Sequence, residues 1–285
     1  LTGEARRFDN EPGMPGAIKF FGPYLYRSVF HATTEQEECE RALQHLRDVV
    51  IGEGADRVAA IVLETVVGTN GILMPPDGYL AGVRSLCDEF GIMMIADEVM
   101  AGFGRCGEWF AGNYWGVTPD LITFAKGVNS GYVPLGGVVI SQKIADTFRD
   151  RVFQGGLTYS GHPLACATAV ASINIFETDG IIEHARMLGT DVIGPELRSF
   201  ADRHASVGEV RGLGVFWAIE LVSNQQTRTP ADAATMQTVT SACKSRGLWP
   251  FIAANRIHVV PPCNTSVDDT RAGLAIIDEV LSLND

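Results

Sequence analysis

A lysine and an aspartate hold comparable places in this sequence. Lys126 closes the apolar run Leu121-Ile122-Thr123-Phe124-Ala125, and Asp97 closes Ile92-Met93-Met94-Ile95-Ala96. Both runs have the length and composition of strands buried in a parallel sheet. In such sheets ligands bind beyond the carboxyl ends of the strands, so an ionisable group there sits where chemistry is done. Either residue alone would read as a solvated loop charge; the pair asks for more. A buried ammonium is costly unless it is paired or gives up its proton, and a lysine so placed can form a Schiff base with a carbonyl compound. A nearby carboxylate could pair with that lysine, or could hold a proton on a heteroaromatic nitrogen. Pyridoxal phosphate uses both groups: its aldehyde condenses with a lysine, and its pyridinium needs an acidic partner to act as an electron sink.

A competing motif lies between the two. Gly102 to Gly107 read GFGRCG, a match to the dinucleotide fingerprint G-x-G-x-x-G. That fingerprint needs its first glycine straight after the strand, an amphipathic helix behind the third, and an acid further on. Here Asp97 and Glu98 would face the pyrophosphate, and the following EWFAGNYWG is no amphipathic helix. A nicotinamide site is therefore not expected.

The elements that must position Asp97 and Lys126 follow from periodicity. Cys39, Leu43, Leu46 and Val50 share one face of a helix over 35–51, and VAAIVLE (58–64) reads as a buried strand. Leu80, Val83, Leu86 and Phe90 share a face of a second helix that Gly91 stops. IMMIA, the run 121–125 and GGVVIS (136–141) are further strands. Strands alternating with helices indicate an α/β sheet. Residues 163–204 read as helical, VGEVRGLGVFWAIELV as strands, 231–246 as a helix, RIHVV as a short strand, and the chain closes with a helix from about 266. The change of pattern predicts a large domain over 1–204 and a smaller α+β domain over 205–285.

Composition limits the partners. The chain has 285 residues, 46% hydrophobic and 20% charged, with a formal net charge of -12. That balance argues against nucleic acid or an anionic membrane surface, both of which need clustered Lys and Arg. Cys39, Cys87, Cys106, Cys166, Cys243 and Cys263 show no C-x-x-C spacing, which predicts reduced thiols and no metal site. No stretch approaches eighteen apolar residues, and LTGEARRFDN lacks an initiator Met and a signal-peptide core, so a cytoplasmic protein whose N-terminal part is missing is expected.

Three stretches, IADEVMAGFGRCGEWF, PDLITFAKGVNSGYVPLGGVVIS and GLTYSGHPLACA, stand in the order and spacing of the class III (omega) aminotransferases. The resemblance runs over essentially the whole chain and includes the omega-amino acid:pyruvate aminotransferases. It implies an α/β fold of type I, aspartate aminotransferase-like, with pyridoxal phosphate as cofactor. It makes Lys126 the Schiff-base lysine and Asp97 the partner of the pyridine nitrogen. Val99 would pack on one face of the ring. Thr158 would bond the cofactor phosphate, in a loop that reaches the neighbouring subunit's site, so a homodimer is implied. The reaction implied moves an amino group from an omega-amino acid or amine to a keto acid such as pyruvate. An aminomutase, epimerase or decarboxylating transaminase on the same fold, or a truncated non-catalytic chain, are the alternatives.

The chain departs from the family in three places. Members that hold alpha-keto acids through an arginine switch carry that arginine four residues before the second proline of a PPL-like turn, where this chain has His258; Arg256 is two residues away. The same members have a glutamate after the glycine of EPxxG, where this chain reads ETVVGTN, with Thr69 at that place and Thr65 for the proline. Arg256 and His258 are the candidates for substrate carboxylate contact. The phosphate-gripping Gly/Ser loop and the ring-stacking aromatic of the family would precede residue 1.

Overall fold

The protein is described here over residues 2–283 of a computed structural model. The chain forms two compact units, 1–61 with 75–93, and 62–74 with 94–285.

In the first unit, helix α1 (Glu35–Gly52) starts at Thr34, whose hydroxyl accepts the Glu37 N–H at 3.2 Å, and three acids in its first turn suit the positive helix end. It buries Cys39, Ala42, Leu46 and Val50. Helix α2 (Tyr79–Phe90) buries Leu80, Val83, Leu86 and Cys87, and ends at Gly91 in the left-handed region, φ 70°. The helices pack closely because Gly82 has no side chain: a Cβ there would lie 2.4 Å from Leu43 Cδ1. Arg47 and Glu89 add a two-point ion pair at 2.7 and 2.5 Å.

The first sheet has the order β1 (Ala60–Glu64), β2 (Met93–Asp97), β3 (Leu121–Phe124), β4 (Gly137–Ile140). Strands β2 and β3 are parallel, with Asp97 opposite Thr123; β4 runs antiparallel to β3, with Gly137 opposite Phe124. After the short α3 (Gln142–Asp146) come α4 (Pro163–Thr178), α5 (Ile181–Met187) and α6 (Gly194–Arg203), joined by a π-helical stretch over 188–193. The helical run expected over 163–204 is thus broken at Asp179-Gly180 and widened at 188–193. Within the widened stretch Gly189 lies against backbone, where a Cβ would meet the Gly214 carbonyl oxygen at 2.2 Å.

The second sheet is antiparallel, β5 (Val207–Leu213), β6 (Phe216–Asn224), then β9 (Arg256–Val259) and β8 (Phe251–Ala253), with the two-residue β7 (Thr229–Pro230) pairing β6. The three-residue β8 and the two-residue β7 escape sequence reading because they are too short to show a period. Helices α6, α7 (Ala233–Ser245) and α8 (Val267–Ser282) contribute Leu197, Phe200, Val239, Ile277 and Leu281 to one core with Ile219 and Ile257.

The GFGRCG run is part of this packing. Gly104 and Gly107 adopt φ 82° and 77°, Arg105 donates to the carbonyls of Pro261 (2.6 Å) and Val215 (3.2 Å), and the Val215 N–H returns a bond to the Arg105 carbonyl at 3.0 Å. Gly214, φ 56°, faces this loop so closely that a Cβ would lie 2.4 Å from Cys106 C. Buried inside the second sheet, His258 is 3% exposed and lies opposite Ala218 and Phe251. Burial, then the Arg256 and Arg211 guanidiniums, push its pKa down to about 4.

Two predictions follow from these contacts. Gly214→Ala should lower stability in urea by about 2 to 5 kcal/mol, the sum of left-handed strain and overpacking against backbone; an unchanged midpoint would mean the loop yields freely. For His258, the folded pKa lies below the unfolded one, so between about 6.5 and 4 the unfolded chain binds more protons and stability falls as pH drops. Glu64 and Glu98, whose carboxyls are held above the ordinary range, act in the opposite sense. Wild type should therefore lose up to about 3 kcal/mol more than His258→Phe between pH 7 and 4, read from urea midpoints. Parallel curves for the two proteins would remove His258 from the account.

Candidate active site

The end of β2 divides its two acids between two tasks. Strand alternation sends Asp97 and Glu98 to opposite faces. The Glu98 carboxylate, 1% exposed, accepts from the Thr65 hydroxyl at 2.6 Å and from the Ala111 and Gly112 N–H groups at 2.9 Å each. Burial raises its pKa and Asp97 adds repulsion, against the three hydrogen bonds. Glu98 thereby joins the end of β1 to the loop that returns toward β3. Asp97 is half-buried and accepts the Val99 N–H at 3.0 Å, which fixes the turn at the strand end.

Lys126 opens a 3-10 turn, Lys126–Asn129, two residues beyond β3. Its backbone is left-handed, φ 43°, an uncommon state for a residue with a side chain. Because β2 and β3 are neighbouring parallel strands about 4.8 Å apart, Asp97 and Lys126 stand at the same end of the sheet on adjacent strands.

A third strand end adds Glu64, which sequence reading passed over. The Glu64 carboxylate accepts the Gly68 N–H at 2.8 Å and feels both Asp97 and Lys126. Burial raises its pKa most, Asp97 raises it further, and the Gly68 bond and Lys126 oppose both. The signal was present: Glu64 closes VAAIVLE as Asp97 and Lys126 close their runs.

The turn after Glu64 is held by arginines of the second sheet. Arg256 donates to the Asn70 carbonyl at 2.9 Å and to the Ala253 carbonyl at 3.1 Å, and Arg211 donates to the Gly71 carbonyl at 2.9 Å. Arg211 is also paired with Glu209 and, at 3.0 Å, with the buried Glu220. Arg256 therefore stands one residue from Thr69, and Thr69 itself contacts the Met100 sulfur at 3.4 Å. His258 shares the Arg256 face of β9 but is sealed in, and its Nε2 has no hydrogen-bond partner among the described residues. Val99 lies directly behind Asp97, whereas Thr158 sits in an exposed turn that makes no hydrogen bond to Asp97 or Lys126.

These residues fit pyridoxal phosphate by their chemistry. An amine and a carboxylate stand at neighbouring strand ends, and Gly68, Gly102 and Gly127 are places where a Cβ would strike a neighbour within 2.9 Å. These glycines let Met100, Glu98 and Phe103 pack tightly in the loops that follow the strand ends.

Comparison with known proteins agrees. Residues 12–281 match the family described as Aminotransferase class-III. The putrescine–pyruvate aminotransferase of Pseudomonas aeruginosa is 35% identical over 272 residues, 95% of this chain and 58% of that protein. Among solved structures, the taurine:2-oxoglutarate aminotransferase of Bifidobacterium kashiwanohense, in complex with PLP and glutamate, matches with a TM-score of 0.94 and 40% identity, over 99% of this chain and 65% of that one. An (S)-enantioselective omega-transaminase of Thermomicrobium roseum matches with a TM-score of 0.91 and 36% identity, over 99% and 63%. The chain spans 54% and 58% of the length of two such relatives. It belongs to the class III aminotransferases, pyridoxal-phosphate enzymes of fold type I.

Proposed function

We propose that the protein is a transaminase that moves an amino group from an omega-amino acid or amine to a keto acid such as pyruvate. The observation that carries this reading is the meeting of Asp97 and Lys126 at the ends of adjacent parallel strands. Relatives named for putrescine and taurine as donors, with pyruvate as acceptor, support the choice of substrates.

Bound at this site, pyridoxal phosphate supplies an aldehyde that captures amines and a pyridinium that withdraws electrons. Lys126 would hold the cofactor through its Nζ, and as a free amine it would move a proton from the donor's amino-bearing carbon, as general base and acid. Asp97 would keep the pyridine nitrogen protonated, Val99 would pack against the ring, and Thr158 would bond the phosphate in the neighbouring copy's site. Glu98 fixes the loop behind Asp97 through its three hydrogen bonds.

A homodimer is part of the same proposal. Helix α4 is apolar around most of its circumference, with Leu164, Val170 and Ile175 between 51% and 60% exposed. Leu157 and Tyr159, beside Thr158, are 81% and 80% exposed. Apolar surface this continuous favours a partner. A second copy covering it would bring Thr158 to the neighbouring site.

For the acceptor we assign Arg256 to the keto acid's carboxylate; His258, neutral at physiological pH and sealed in the sheet, lies behind it on β9. The Arg256 Nε and Nη1 already serve carbonyls, so part of its donor capacity is committed to the protein. The cost of removing it should accordingly lie near the low end for such contacts.

Two outcomes are expected. Lys126→Ala should abolish alanine formation from pyruvate with every amino donor in a panel; transfer that persists would sink the assignment. Arg256→Ala should lower kcat/KM for pyruvate by roughly 30-fold, about 2 kcal/mol, and change that for a donor amine without a carboxylate by less than about twofold. Equal losses for donor and acceptor would make Arg256 a support for the 68–71 turn alone.

A further inference from the structure

The left-handed backbone of Lys126 is held from two sides, and neither side belongs to the chemistry assigned above. On one side stands Phe103, itself at φ 54° and 6% exposed. A Cβ on Gly127 would lie 2.7 Å from the Phe103 Cβ, an atom fixed to its backbone and unable to swing aside. Phe103 is in turn immobilised. Its ring packs edge-on against Phe110, Phe124 and Trp109 at 5.5, 5.7 and 6.4 Å, and its N–H donates to the Trp109 carbonyl at 2.6 Å. On the other side, Asn129 is 2% exposed, and its amide donates to the Val133 carbonyl at 2.6 Å and to the Thr168 hydroxyl of α4 at 3.3 Å. Between them, Val128 is 3% exposed and donates to the Ala125 carbonyl at 3.2 Å.

A side-chain-bearing residue persists at positive φ where its surroundings over-determine it. Here the surroundings are identifiable. We propose that Gly127, Phe103 and Asn129 are positioning residues, a backbone clamp that sets Lys126 in the left-handed conformation and so aims its amine at the pyridoxal phosphate aldehyde. The proposal rests on the reading of Lys126 as the lysine that binds the cofactor. If φ of Lys126 relaxed to a right-handed or extended value, the Cα–Cβ bond would leave the backbone in another direction, and the four-carbon stem would carry the amine elsewhere. An alanine at 127 must push either the locked Phe103 or the start of the lysine turn, where Lys126 is itself exposed. Isosteric Asn129→Asp removes the donor that reaches Val133 and Thr168, and it sets a carboxylate oxygen against a carbonyl.

The test reads capture and not turnover. The chain holds four lysines, Lys19, Lys126, Lys143 and Lys244, which serve as internal references for one another. The full chain is incubated with pyridoxal phosphate, reduced with borohydride, digested and mapped by mass spectrometry. Wild type should be labelled preferentially at Lys126. Gly127→Ala should lower the ratio of Lys126 to Lys143 labelling at least tenfold, and Asn129→Asp at least threefold, with urea midpoints showing both variants folded. Gly131→Ala is the control: it lies in the same loop at φ 79° with nothing within 4 Å of the added carbon, and should keep the ratio within twofold. Binding of pyridoxamine phosphate, which needs no lysine bond, should change less than twofold in the folded variants; a general collapse of the site would weaken it as well. If Gly127→Ala unfolds, Asn129→Asp decides. Folded variants that keep wild-type labelling at Lys126 overturn the clamp and leave the function reading standing. Wild type unlabelled at Lys126 overturns both.

Discussion

Four ionisable groups crowd one end of the first sheet, where each must find a partner or solvent; Glu98 is buried, Glu64 and Asp97 are half-buried, and Lys126, expected to be buried, is exposed. Glu64, Asp97 and Lys126 gather where β1, β2 and β3 finish, with Glu98 immediately behind. Each is answered differently. Glu98 takes three donors and becomes the tie between β1 and the loop up to Gly112. Glu64 takes one donor, the Gly68 N–H, and shares the field of Asp97 and Lys126. Asp97 takes the Val99 N–H, which fixes the turn beyond β2.

The second sheet serves the same end from a distance in sequence. Arg211 and Arg256 reach the carbonyls of Gly71 and Asn70, and the buried Glu220 keeps Arg211 from being an uncompensated charge. Breaking such a pair costs more than forming it yields, so the arginines act less as a source of stability than as a way of fixing one arrangement of the turn after Glu64. The GFGRCG loop meets the same sheet at Gly214, and there glycine is required by backbone approaching backbone.

Much of this was legible in the sequence because it depends on local pattern. An apolar run closed by one ionisable residue marked the ends of β2 and β3, and helical spacing marked α1 and α2 to within two residues. Glu64 obeys the same rule, but its carboxylate turns to the Gly68 N–H of the next turn, a contact that the apolar run before it does not encode. The arginine contacts were not legible for a different reason: Arg256 and Asn70 are 186 residues apart, and no local period encodes their meeting. The left-handed state of Lys126 was also hidden. Glycines around it signalled close approach, but which of them answers a positive φ and which answers Phe103 is settled only by the fold.

The most direct measurement is a crystal structure of the protein grown with pyridoxal phosphate. Continuous density from the Lys126 Nζ to the ring, with the ring nitrogen about 3 Å from an Asp97 carboxylate oxygen, is the expected result. A ring joined to another lysine, or one whose nitrogen faces Glu64 or solvent while Asp97 stays unengaged, would contradict the assignment of the strand ends.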